Sequence, residues 1–408
     1  MLAAVLLTLA LCSCSGAPVT RLLADQSARA RLATVRGEVT ITDASGAPIV
    51  VAILRVPEHA QQALQIVDFQ ILASAGAFSF FAPAARYRVI AFEDTDRDQD
   101  YDATERLGAW NGFADVVAEE GSTSELRIEI TGDVPGPLPV VAMPTADVRS
   151  LHIGDVVPLE HARFGQAAGV RGMWEPLAFM EELGAGLFLV EPHVEGRTPV
   201  VLVHGMGGYP QEFGRLIASI DRTRFEPWLV QYPSGWELTA VADYLARGLI
   251  ELSQSLDVGE LCVVAHSMGG VVTRRALRFL DEREHPSLVR GFVTLASPLG
   301  GIPSAAAGMR LSPIHLPAWE GLVPDGAFMR TQYERPLSSS TDYTLLFAFD
   351  GRSAGDGVVP LASQLRVEAQ REALHLSGVH TSHVGILSDD TAIAAVGAAL
   401  ERCAASSP

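Results

Sequence analysis

The segment Ala265-His266-Ser267-Met268-Gly269 places a serine between small residues, after the apolar run Leu261–Ala265 and before a helical stretch beginning at Gly270. A serine hydroxyl is a weak nucleophile unless it is held clear of the backbone and given a base. A sharp strand-to-helix turn does the first, and small residues two positions either side avoid collision there. The helix that follows presents free N–H groups and a positive dipole end toward charge developing at the serine. A second glycine-rich turn, His204-Gly205-Met206-Gly207-Gly208, follows the apolar run Pro199–Val203. Such a turn can curl its backbone N–H groups under an oxyanion, and Gly207-Gly208 also suits a plain tight connection. A phosphate loop would end in Lys-Ser/Thr, which is missing.

A nucleophilic serine needs an imidazole base and an acid that orients it. Late in the chain, Gly355-Asp356-Gly357-Val358-Val359-Pro360 follows the apolar run Tyr343–Phe349, and Asp350 at the end of that run competes with Asp356. Three histidines follow, His375, His380 and His383. His375 sits in an alternating run and reads as an ordinary strand or surface residue. His380 and His383 both remain candidates for the base.

The elements that must position these groups are legible in outline. Pro199–Val203, Leu261–Ala265, Gly291–Ala296 and Tyr343–Phe349 are continuous apolar runs, as expected of parallel strands covered on both faces. Helical stretches at 238–256 and 270–280 alternate with them, so residues 196–405 read as a doubly wound, mostly parallel α/β sheet. Residues 299–340 are a long excursion rich in Gly, Pro, Leu and Met, either a lid or a structural insertion. Residues 34–131 differ: short alternating runs such as Val35–Ile41, Tyr87–Phe92 and Leu126–Ile130 are separated by turn residues, the pattern of a small all-β sandwich. A Pro/Gly-dense break at 131–139 marks the boundary, and residues 132–195 read as linker and connecting region with strand character at Leu187–Val190.

At this point a resemblance enters. On the Ala-His-Ser-Met-Gly turn in its strand–turn–helix setting, residues 198–400 resemble an α/β-hydrolase of the bacterial lipase/esterase type. Ala265 stands where most members carry glycine. The resemblance implies Ser267 as nucleophile and the backbone N–H groups of Met206 and Met268 as oxyanion donors. It also favours Asp356, because Asp-Gly-Val-Val-Pro is similar to the acid turn of many lipases. His383 is favoured as base because His383-Val-Gly-Ile-Leu387 is similar to their histidine segment. It implies no cofactor for catalysis and a hydrophobic acyl ester as substrate. An amidase, an acyltransferase or a non-catalytic surface module on the same fold are the alternatives. Residues 34–131 are similar to the prealbumin-like β-sandwich appended to many secreted proteins.

The N-terminus and composition bound the setting. The apolar run 1–11 is shorter than the roughly 20 residues that span a bilayer and reads as a signal segment, with 15–33 as a tether. Leu11-Cys12-Ser13-Cys14 resembles a bacterial lipoprotein signal with Cys14 as the lipidated residue, which implies a cell-envelope lipoprotein held to the membrane by its lipid; simple secretion is the alternative. The formal net charge of −18 over 408 residues argues against nucleic-acid binding. Cys262 and Cys403 lie far apart, and Cys262 reads as a small apolar residue in a buried strand. Finally, Asp94, Asp96, Asp98, Asp100 and Glu105 fall at loop positions one, three, five, seven and twelve, the oxygen-rich spacing of a structural Ca²⁺ loop, although Gln99 replaces the usual turn glycine. A solvated acidic loop is the alternative.

Overall fold

The computed structural model describes residues 23–25, 27–28, 31–57, 64–72, 74–96, 101, 104–131, 141–142, 151–306 and 316–405. Two compact units divide the chain, Ala24–Ser150 and a second that contains Leu151–Pro408. Cys14, Asp98 and Asp100 lie outside the described residues.

The first unit is built of short strands: β1 (Ala33–Ile41), β2 (Ile49–Arg55), β3 (Leu64–Leu72), β4 (Ala77–Ala82), β5 (Ala85–Glu93), β6 (Leu107–Ala109), β7 (Val116–Ala118), β8 (Thr123–Ile130) and β9 (Val141–Ala142). They form two sheets, ordered β4-β1-β8 and β6-β5-β2-β3-β9, with β7 paired to β5. Most pairs are antiparallel, while β1·β8 and β3·β9 are parallel. Alternation selects the inward face: Leu126, Ile128 and Ile130 of β8 join Val35, Val51, Phe80 and Val89 in one core drawn from both sheets. β2 does not alternate, because Val50, Ala52 and Leu54 are buried on its other face with Ile90 and Phe92.

The second unit holds one sheet of eight strands. These are β10 (Leu151–Val156), β11 (Ala185–Leu189), β12 (Thr198–Val203), β13 (Phe225–Gln231), β14 (Leu261–His266), β15 (Val289–Leu295), β16 (Asp342–Phe349) and β17 (His375–His380), in the order β10-β11-β13-β12-β14-β15-β16-β17. All neighbours from β13 to β17 are parallel, and β10 with β11 runs antiparallel to them. Residues 151–189, left to a connecting region by their sequence, therefore supply two strands to this sheet. The winding reverses between β12 and β14, so their carboxyl ends open a crevice between loops that diverge, the usual place for a ligand in an α/β sheet.

Three long helices cover the sheet: α1 (Leu238–Ser255), α2 (Met268–Glu282) and α3 (Asp390–Ala405). In α1, Leu238, Val241, Ala242, Leu245, Leu249 and Leu252 recur at helical spacing and are buried. Glu237 caps its start, its carboxylate accepting from the N–H groups of Thr239 and Ala240 at 2.8 Å each. In the excursion, short helices Pro317–Gly321 and Ala327–Thr331 bury Trp319, Phe328 and Met329, with Gly321 against Leu238 of α1. Among the described residues no helix is long and apolar enough to cross a membrane.

One covalent tie corrects the sequence reading. Cys262 of β14 and Cys403 of α3 form a disulfide, with Cα atoms 6.3 Å apart and 141 residues between them in sequence. Their neighbour must be glycine, since a Cβ on Gly291 would lie 2.8 Å from the Cys403 sulfur. Closing so long a loop removes conformational entropy from the unfolded chain. Reduction, or the double change Cys262→Ala/Cys403→Ala, should lower unfolding free energy by about 2–4 kcal/mol. Urea titration of oxidised and reduced protein checks this, and coincident midpoints would refute it.

Candidate active site

The site begins with the backbone of Ser267, at φ 54° and ψ −129° between β14 and α2. A side chain in this region costs about 1–3 kcal/mol and persists only where its surroundings over-determine it. They do so here. The Ser267 N–H donates to Leu295 O at 2.9 Å, and Gly270 N–H donates back to Ser267 O at 3.0 Å. α2 then runs directly against the end of β12, where a Cβ on Gly269 would lie 2.5 Å from the carbonyl oxygens of Val203 and His204. Glycine is required at 269 by this approach of two backbones, in addition to the turn itself.

The structure brings His383 and Asp356 to this serine. His383 Nε2 lies 2.9 Å from Ser267 Oγ, and its Nδ1 lies 2.7 Å from Asp356 Oδ2. All three residues are buried. The other carboxylate oxygen of Asp356 accepts from Val358 N–H at 2.9 Å and Val359 N–H at 2.7 Å, while its backbone carbonyl accepts from His383 N–H at 3.1 Å. The loops that carry Asp356 and His383 are thus tied to each other through the backbone as well as through the side chains.

The competing residues are placed elsewhere. Asp350 accepts from the N–H groups of Arg352 and Ser353 and from the Ser353 hydroxyl, bonds that close a turn and hold its carboxyl below the usual range. His380 ends β17 and stacks on Phe349, with ring centres 5.2 Å apart. His375 lies 3.7 Å from the Asp342 carboxylate.

Two further imidazoles flank the site, and both are held neutral. Burial pushes His266 down to about 3, aided by repulsion from the His383 charge; its Nε2 donates to His383 O at 3.0 Å. Burial likewise lowers His204 to about 4. Its ring stacks on Tyr232, whose hydroxyl donates to His204 O at 2.6 Å.

The glycine-rich turn after β12 passes Ser267 closely: a Cβ on Gly205 would lie 2.8 Å from Ser267 Cβ. Met206 is the next residue. Met268 opens α2, so its N–H has no partner within the helix. Gly207, at φ 67°, donates its N–H to the buried Ser234 hydroxyl at 2.9 Å. From beneath, Gly169 of the helix Gln166–Trp174 packs so tightly that a Cβ would lie 2.7 Å from the carbonyl oxygens of Gly207 and Gly208.

Sequence reasoning missed Glu212, whose carboxylate accepts from Tyr209 N–H at 3.4 Å and packs where a Cβ on Gly208 would lie 2.8 Å from it. A signal existed in its position three residues after Tyr209, at the start of the short helix Pro210–Phe213. In the first unit, carboxylate oxygens of Asp94, Asp96 and Glu105 converge to within 4.8 Å of one another.

Burial raises Glu212 to about 7, opposed by the Tyr209 N–H and the His383 charge. Between its ordinary value of 4.5 and 7, the folded chain keeps a proton that the unfolded chain has released. This group therefore lowers stability as pH rises through that window, and the loss persists above it. Glu212→Gln should raise the melting temperature more at pH 8 than at pH 5; equal differences at both pH values would refute the assignment.

A family model agrees with this architecture. Residues 200–402 match the family model described as the alpha/beta hydrolase family. No curated protein matches the chain. Among solved structures, Aspergillus fumigatus lipase B is similar at 19% identity over 51% of this chain and 53% of that one, with a TM-score of 0.41. The similarity thus spans about half the length of that lipase. Bacillus licheniformis lipase BlEst2 in mature form has 19% identity over 49% of this chain and 92% of its own, with a TM-score of 0.39. The product of the Listeria innocua gene lin2722 has 16% identity over 50% and 94%, with a TM-score of 0.41. With its reversed winding, its mixed eight-stranded sheet and this family match, the C-terminal region of the chain has the α/β-hydrolase fold.

Proposed function

We propose that the chain is a serine hydrolase of carboxylic esters, acting through an acyl-Ser267 intermediate. The observation that carries this reading is the continuous hydrogen-bonded line from Ser267 Oγ through His383 to Asp356. His383 Nε2 removes the hydroxyl proton as Oγ attacks the ester carbonyl. The electron pair displaced onto the carbonyl oxygen is received by the N–H groups of Met206 and Met268. As the tetrahedral centre collapses, the ester C–O bond breaks and His383 delivers its proton to the leaving alcohol. Water then repeats the sequence on the acyl-enzyme, with His383 again as base, and frees Ser267. Asp356 holds the imidazole in the tautomer with Nδ1 protonated and stabilises its charged form.

A hydrophobic acyl group suits the site's rim, because Val358 and Val384, beside the acid and the base, are 45% and 56% exposed. The export reading is supported by the disulfide, which persists in oxidising compartments, and lipidation at Cys14 is proposed with it. For the acidic loop, the converging oxygens of Asp94, Asp96 and Glu105 suit a hard cation, and we propose a structural Ca²⁺ there. Millimolar Ca²⁺ should raise the melting temperature of wild type and leave Asp94→Asn unmoved; a wild type indifferent to both Ca²⁺ and chelator refutes the site.

The catalytic reading is tested with a fluorophosphonate probe and a chromogenic ester. Wild type should label and turn over, whereas Ser267→Ala should not label and should lose at least about 10⁴ in kcat. His383→Ala should lose activity comparably, while His380→Ala retains it. An unlabelled, inactive wild type would turn the assignment toward a binding module, and the reverse pattern in the two histidines would move the base.

A further inference from the structure

Asp356 is gripped from a side the sequence does not reveal. Gln364, in the short helix Leu361–Gln364, is buried, and its amide makes a compact set of bonds. Its Oε1 accepts from Ala348 N–H at 2.8 Å. Its Nε2 donates to Ala348 O at 3.0 Å, Val359 O at 3.0 Å and Asp356 Oδ2 at 3.2 Å. The last is the oxygen that holds His383 Nδ1.

The sheet explains why a side-chain amide stands there. The ladder between β15 and β16 ends at the pair Leu295–Leu346, two residues short of Ala348. Ala348 stays in register with Val379 of β17 but lies beyond the reach of β15, and both of its polar backbone groups bond to Gln364 instead. The two hydrogens of the amide serve three acceptors, Ala348 O, Val359 O and the carboxylate.

We propose that Gln364 is a positioning residue, fixing the Asp356 carboxylate to the end of β16 and setting how much negative charge it presents to His383. This rests on the reading of Ser267, His383 and Asp356 as a catalytic set. A donor to Oδ2 favours the ionised carboxylate and draws charge away from the imidazole. Without it, Asp356 holds the imidazolium more strongly and is freer to turn. His383 then meets Ser267 less often in productive geometry.

Two substitutions separate positioning from mere packing. Gln364→Met keeps the length and removes every polar atom. Gln364→Glu keeps an acceptor for Ala348 N–H and, once ionised, sets a like charge beside Asp356. Gln364→Met should fold, lose about 10–100-fold in kcat with little change in KM, and shift the acid limb of kcat/KM to higher pH. Gln364→Glu should work at low pH and fail as pH rises, and it carries the test if the methionine variant does not fold. In the proton NMR spectrum of substrate-free protein, the downfield His383 Nδ1–H resonance should move in both variants. That readout needs no turnover. If it moves while wild type hydrolyses no ester, the enzymatic reading fails and the grip on Asp356 stands. Wild-type kcat, pH profile and resonance in Gln364→Met would overturn the proposal. So would a lowered melting temperature with the profile and resonance unmoved.

Discussion

The geometry of the site depends on one backbone constraint, the positive-φ turn at Ser267. To hold it, β14 must end against β15, where Leu295 accepts the serine N–H. α2 must start hard against the end of β12, where only glycine fits at 269. The same approach brings the glycine-rich turn after β12 alongside Ser267, with Gly205 against its Cβ. Ser267 and that turn are therefore one packing problem, solved where the sheet reverses its winding.

Asp356 and His383 arrive from the far half of the sheet, after β16 and β17, and are linked by the bond from His383 N–H to Asp356 O. Electrostatics keeps the arrangement simple. The His266 ring lies 4.9 Å from that of His383, but burial holds both His266 and His204 uncharged near neutral pH. Their polar atoms serve the turns: His266 donates to His383 O, and the His204 carbonyl receives the Tyr232 hydroxyl. Glu212 is the contrasting case, a carboxyl half-buried against the glycine-rich turn that burial raises to about 7.

The parts that were legible in sequence are those governed by local pattern. Continuous apolar runs announced β12, β14, β15 and β16, and the small residues around Ser267 announced its turn. Asp356 and His383 could be named on resemblance, while Asp350 and His380 stayed in contention because sequence order does not reveal which side chain turns inward. β13 escaped notice because Glu226 and Pro227 break its apolar run. Glu226 is tolerated there because its buried carboxylate meets His193 Nδ1 at 2.7 Å, Val194 N–H at 3.1 Å and Trp228 Nε1–H at 3.0 Å. β10 was hidden by its glycine and by a register shift at the sheet edge. Gln364 and the Cys262–Cys403 bond were illegible for a simpler reason: each acts on a partner that only the fold brings near.

That disulfide has a consequence for how the second unit tolerates damage. Its loop encloses Ser267, Asp356, His383 and the whole excursion between β15 and β16. A protease that severed the backbone once within that excursion would separate the serine from the acid and base along the chain. The two fragments would still travel as one molecule, because the strand leading to Ser267 stays bonded to the C-terminal helix. Nicked protein would run as two bands only on a reducing gel.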